Sequence, residues 1–166
     1  MLRDPRDRRD AKLEAHRRGR FHAAISVPIR HAAGRLMLHR HAPAKYHSGG
    51  LRTNTCCSHL RPGESSAAAA TRRLGEEMGY QAPLAPPFAM RYRARVGELI
   101  EHELVHLFGG VFEGDAEPEP AEAGDWRWSE YAALRRDFAV RPAAYTVWFG
   151  TFPRRHADDI ARFVAA

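Results

Sequence analysis

A chain of 166 residues is long enough for one domain of ordinary size. With 44% hydrophobic and 28% charged residues it has the composition of a folded globular protein, and no apolar run reaches the ~20 residues of a membrane helix. The formal charge of +6 suits an anionic partner, and the adjacency of the only two cysteines, Cys56 and Cys57, excludes a disulfide framework.

Residues 1–18 are charge-rich and lack the apolar core of a secretory signal, so a basic N-terminal arm on a cytoplasmic protein is expected, with residues 19–166 as a single domain. Residues 23–29 form a β-like apolar run. The turn chemistry of His31–Gly34 and the run 35–39 predict the return strand of a hairpin. Residues 43–50 read as loop and 54–59 as an extended segment. A helix over 67–78 follows, with serines before it as N-cap candidates and Gly79 at its C′ position. Strands are predicted over 88–96 and 100–112, joined near Gly97. The acidic stretch 114–124 is loop. A short strand over 125–128, a helix near 130–136, a break at Pro153 and a final amphipathic helix over 158–164 complete the chain. The sum is α+β, a mixed sheet flanked by helices.

Three groups of residues carry chemistry. His16, His22 and His59 are metal-capable, and Glu101 and Glu103 share one face of a predicted strand. Two like charges side by side call for a cation or a shared proton, and imidazole with carboxylate suits Zn, Mn or Fe. In the extended string Thr53-Asn54-Thr55-Cys56-Cys57-Ser58-His59, Cys57 and His59 share a face and Cys56 points the other way, as a small buried hydrophobe. A thiol near cations or a metal gains a lowered pKa and acid/base use. Third, Glu64, Arg72, Glu76, Glu77 and Gly79 have the spacing of the Nudix box. Ser58 stands at its opening glycine, and Arg73 stands where a magnesium-binding glutamate belongs. The box therefore argues for a Nudix fold and against ordinary diphosphate hydrolysis.

Taken together, Thr53–His59, Gly63-Glu64, Arg72-Arg73-Leu74 and Glu101-His102-Glu103 resemble the type 1 isopentenyl-diphosphate isomerase family over residues 12–150. The resemblance implies interconversion of isopentenyl and dimethylallyl diphosphate in isoprenoid biosynthesis, by protonation and deprotonation through a carbocation-like intermediate. It implies one divalent metal, Zn or Mn, on His16, His22, His59, Glu101 and Glu103. It implies Mg, meeting the substrate diphosphate, on Glu77. Cys57 and Glu103 match the acid/base pair and Tyr92 an assisting phenol. Lys12, Lys45 and Arg73 match diphosphate contacts, and Arg40 joins them beside His41. The implied partner is a small prenyl diphosphate, taken by a monomer or homodimer, with no membrane.

Three positions depart from the family: Arg52 replaces an aromatic, His41 an arginine, and Ala143 a tryptophan that faces the cation. Tyr145 and Trp148, one or two turns along, are the aromatics left for that last role. The alternatives are a paralogue acting on a modified prenyl diphosphate, a Nudix diphosphate hydrolase, and a nucleic-acid-binding module. The last is not expected. Arg91-Tyr92-Arg93 is the only basic–aromatic string and reads as a solvated strand face.

Overall fold

A computed structural model describes residues 2–3, 9–10, 12–45, 48–155 and 157–165. Of the expected arm, residues 1, 4–8 and 11 lie outside these, as do 46 and 47 of the expected loop. The strands are β1 (Leu2–Arg3), β2 (Arg9–Asp10), β3 (His22–Val27), β4 (Ile29–Arg30), β5 (Arg35–His41), β6 (Arg52–Asn54) and β7 (Cys56–His59), then β8 (Phe88–Val96), β9 (Leu99–Leu107), β10 (Gly110–Val111) and β11 (Ala123–Glu130). The helices are α1 (Lys12–Arg17), α2 (Ser66–Met78), α3 (Tyr131–Val140), α4 (Val147–Arg155) and α5 (Ala157–Ala165).

Two sheets make the body. One has the order β7-β3-β9-β8, with β3 and β9 parallel. The other has β10-β4-β5-β11, with β6 also on β5. The expected hairpin between 23–29 and 35–39 is corrected here. Pro28 ends β3, the chain crosses to the second sheet, and only Arg30 of β4 pairs with Leu36 of β5. A proline donates no ladder hydrogen bond, so it marks the crossing. The string 54–59 crosses in the same way. The hydroxyl of Thr55 accepts from Ile29 N–H at 3.1 Å and donates to the Met37 carbonyl at 2.9 Å. The expected strand 100–112 also divides at the crossing, into β9 and β10. Phe108 N–H donates to Ser26 O, and Gly110 pairs with Ile29.

The outer face of the first sheet, with Ile25, Val27 and Cys56, packs under Ala69, Ala70, Leu74 and Met78 of α2. That helix begins where expected: the Ser65 hydroxyl accepts from Ala68 N–H. It ends at Gly79, whose φ of 78° only glycine adopts freely, and a Cβ there would meet Glu117 O at 2.5 Å. The inner face, with Ala24, Met90, Tyr92, Val105 and Leu107, joins Leu36 and Leu38 of the second sheet and Leu134, Phe138, Trp148 and Phe149 of α3 and α4.

Two further expectations change. Helix α4 runs through Pro153 to Arg155 rather than breaking at the proline. Residues 12–17, expected within the arm, form α1, whose Ala15 and His16 are buried.

Candidate active site

The alternation of β9 is the starting point. Glu101, Glu103, Val105 and Leu107 all turn inward, and Ile100, His102, Leu104 and His106 turn outward. Register then builds the site. Glu103 stands opposite His22 on one side and Tyr92 on the other, His59 opposite Ala24, and Cys57 opposite Ser26. All of these lie on the inner face of one sheet. Helix α1 adds His16 from above.

Three imidazoles converge on one carboxylate oxygen. Glu103 Oε1 lies 3.1 Å from His59 Nε2, 3.3 Å from His22 Nε2 and 3.7 Å from His16 Nε2. The ligand atoms of these four residues all fall within 4.8 Å of one another. Nδ1–H of His16 donates to Lys12 O and that of His22 to Arg20 O, which turns both Nε2 lone pairs to the centre. His22 Nε2 is buried with no hydrogen-bond partner. A buried atom left so, in a set of three imidazoles and one carboxylate, fits a divalent cation such as Zn or Mn. Burial alone would raise the Glu103 pKa, but the close imidazoles of His16, His22 and His59 outweigh it and hold the carboxyl well below its usual range. Burial lowers His59 to about 3. Glu101, expected as a fifth ligand, is not among the four clustered groups. It accepts from the Tyr92 hydroxyl, which also lies 3.1 Å from Glu103 Oε2.

Below the cluster is a cavity of about 60 Å³. Its lining includes Cys57, Ser26, Tyr92, Glu101 and Glu103, with Lys12, His41, Lys45 and Trp148. The Cys57 thiol sits in a closed ring of three hydrogen bonds. Asn54 Nδ2 donates to Ser26 Oγ at 2.9 Å, Ser26 contacts Cys57 Sγ at 3.3 Å, and the thiol donates to Asn54 Oδ1 at 3.0 Å. Thr53, bonded by Trp148 Nε1, donates to Asn54 in turn. Burial pushes the thiol up to about 12. The lowered pKa expected for Cys57 is therefore corrected: its hydrogen-bond partners, Ser26 and Asn54, are neutral, and desolvation decides. Burial and the nearby Glu103 and Glu101 charges also raise the Tyr92 phenol well above its ordinary value.

The expected diphosphate contacts divide. Lys12 and Lys45 line the cavity, and their charges interact with each other and with Arg73. Lys45 Nζ bonds Glu122 Oε2 at 2.7 Å, and Arg73 Nη2 bonds Glu122 Oε1 at 3.0 Å. Arg73 also pairs with Glu76 and buried Glu77. Burial lifts Glu77 above the ordinary carboxylate range, against the pull of Arg73. Glu122 is the reverse: Lys45 and Arg73 outweigh its partial burial and hold it at about 2. Arg40 is not brought to the cavity. It is the outward residue of β5 and approaches Asp125 at 3.5 Å, while its neighbour His41 points in. Arg52 likewise pairs with Asp125. Of the two aromatic candidates, Trp148 lines the cavity, and Tyr145 packs on Phe138 and bonds Asp137 instead.

Ser26, Asn54 and Glu122 were not singled out by the sequence. Asn54 stood in the quoted string without a role. Ser26 carried only the β3 alternation with His22, and Glu122 carried no signal.

The chain matches the NUDIX domain family over residues 20–149. Solved structures with the same fold include the MutT protein of Methanosarcina mazei Go1, at a TM-score of 0.66 and 17% identity, covering 86% of this chain and 92% of that one. A Nudix hydrolase from M. smegmatis covers 97% and 94%, at a TM-score of 0.61 and 16% identity. Fold and match together define a NUDIX domain protein.

Much nearer in sequence are the isopentenyl-diphosphate Delta-isomerase of Burkholderia multivorans and isopentenyl-diphosphate Delta-isomerase 1 of Aromatoleum aromaticum. The first is 49% identical over 83% of this chain and 79% of that protein. The second is 50% identical over 84% and 79%. The chain belongs to the isopentenyl-diphosphate Delta-isomerase family.

Proposed function

We propose that this protein interconverts isopentenyl and dimethylallyl diphosphate by moving protons on and off carbon. The observation that carries the reading is a small cavity lined both by a protonated thiol and by an ionised carboxylate that is shared with a phenol. The isomerisation adds one proton to a terminal methylene and removes one from the carbon two bonds away, with tertiary carbocation character between. It needs one group that holds a proton and one that lacks it, and environments that push two pKa values apart supply that pair. Cys57 and Glu103 are the two groups, and their roles exchange when the reaction runs backwards.

Glu103 divides its oxygens. Oε1 faces the three histidines, and Oε2 stays with Tyr92, which carries the proton path to the cavity. Trp148 offers an aromatic wall to the developing cation, an attraction of ~2 kcal/mol when desolvated. Lys12, Lys45 and Arg73 hold the diphosphate without cleaving it. His16, His22, His59 and Glu103 would hold Zn or Mn, whose positive charge would fix the carboxylate, and Glu77 would be the ligand for Mg brought with the diphosphate. A free, functional thiol suits a reducing compartment such as the cytoplasm.

The test is incubation with isopentenyl diphosphate and a divalent cation, followed by phosphorus and proton NMR. The expected product is dimethylallyl diphosphate with its diphosphate intact. Release of phosphate or diphosphate would replace this reading with hydrolysis.

A further inference from the structure

We propose that Glu122 is an internal counter-anion that occupies the diphosphate clamp of the free protein and sets its affinity for substrate. This rests on the isomerase reading, in which Lys45 and Arg73 receive the diphosphate. Both cations already share one anion, and Arg73 also pairs with Glu76 and Glu77. The two oxygens of the Glu122 carboxylate are divided between Lys45 and Arg73, at 2.7 and 3.0 Å. The bridge spans 77 residues to Lys45 and 49 to Arg73, so it joins three distant parts of the chain.

The carboxylate is held there by its backbone. Ala42 N–H donates to Glu122 O, and Glu122 N–H donates to Glu119 O. Glu119 N–H donates in turn to Glu77 O, and Glu117 N–H to Met78 O, which ties the loop to the end of α2. The bridge is therefore set between β5 and α2 rather than swept by a loose loop. It is also reachable: the Lys45, Arg73 and Glu122 side chains are 21%, 19% and 28% exposed. Lys45 additionally faces the cavity that Cys57 lines.

A diphosphate entering this site finds its cations neutralised. It must displace the Glu122 carboxylate or share them at the cost of like-charge repulsion. Glu122 thus weakens binding of the diphosphate group itself, and it keeps Lys45 and Arg73 aimed at a common point until the substrate arrives.

Inorganic pyrophosphate is the probe, titrated by calorimetry at fixed Mg²⁺. Removing the internal anion in Glu122→Gln should tighten binding about tenfold, the scale of one close charge coupling. Glu122→Ala should move it in the same direction, and thermal unfolding of both variants confirms that they are folded. Glu119→Gln loses the same charge from an exposed side chain in the same loop and should leave affinity unchanged. Lys45→Met should abolish the gain when combined with Glu122→Gln. Unchanged or weaker binding in Glu122→Gln overturns the proposal, as does equal tightening in Glu119→Gln. So does wild-type protein that isomerises substrate without binding pyrophosphate. Tightening in a protein that does not isomerise isopentenyl diphosphate would instead sink the isomerase reading and leave the counter-anion standing.

Discussion

The Cys57 thiol and the Glu103 carboxylate are driven to opposite protonation states by what surrounds them. Desolvation keeps the proton on sulfur, and three imidazoles keep it off the carboxylate. Cys57→Ser preserves shape and removes the thiol. It should lower the isomerisation rate by about 10²–10⁴, the usual worth of a positioned acid or base, with little change in the thermal midpoint. Initial rates and a melting curve check both halves. The same burial makes a prediction about pH. An unfolded cysteine ionises near its ordinary value, while the folded one waits until about 12. Its contribution to stability is therefore whole below the unfolded value and is lost as pH rises towards 12. On the acid side, His39 is buried, donates to Thr55 O, and is held down to about 4 by burial. The unfolded chain takes that proton near pH 6.5, so stability should fall as pH drops from there to about 4. In urea unfolding across this window, His39→Asn should flatten the slope by about one proton; an unchanged slope would refute the assignment.

Among the elements, α2 was legible because its ends are written in residue chemistry. Ser65 caps it, Gly79 closes it, and Ala69, Ala70 and Leu74 between them face the sheet. Leu74→Ala should cost about 2–5 kcal/mol by denaturant unfolding, because a fully buried leucine leaves a cavity under the helix. The inward face of Glu101 and Glu103 was legible for the same kind of reason, a strict two-residue alternation. Partners of strands were not. Residues 23–29 read as one arm of a hairpin, and only the folded chain shows Pro28 handing it to a second sheet. A one-residue error has large consequences in a strand: Arg40 points out to Asp125 and His41 points in. Helix α1 was hidden in charged sequence. At six residues it is too short to persist alone, and it is held by what His16 and Ala15 bury. Chelation of the cation should therefore raise amide hydrogen exchange across 12–17 more than across α2. Equal exchange with and without chelator would remove His16 from the metal set.

At the scale of the molecule, the two sheets form a scaffold, and the crossings at Pro28, Thr55 and Phe108 bring Cys57, Glu103 and the lysines to one cavity. The string Thr53–His59 carried the identity of the site. Its position at a crossing explains why neighbouring residues in it have separate jobs. Thr55 joins the sheets, Asn54 holds the thiol, Cys56 fills the core, and Cys57 faces the cavity. Glu122 stayed invisible because nothing local in an acidic loop tells which carboxylate meets cations 49 and 77 residues away. A cation bound by four ligands from α1, β3, β7 and β9 should stabilise the whole fold. At a free concentration 100-fold above its Kd the gain is about 2.7 kcal/mol, readable as a lower melting temperature after chelation. The most direct measurement follows deuterium. Isopentenyl diphosphate is incubated with the metal-loaded protein in heavy water, and carbon-bound deuterium is counted by NMR. Wild-type protein should place deuterium in both isopentenyl and dimethylallyl diphosphate, and Cys57→Ala should lose that exchange. Exchange undiminished in Cys57→Ala, or none in the wild type, would contradict proton transfer to and from the substrate by Cys57 and Glu103.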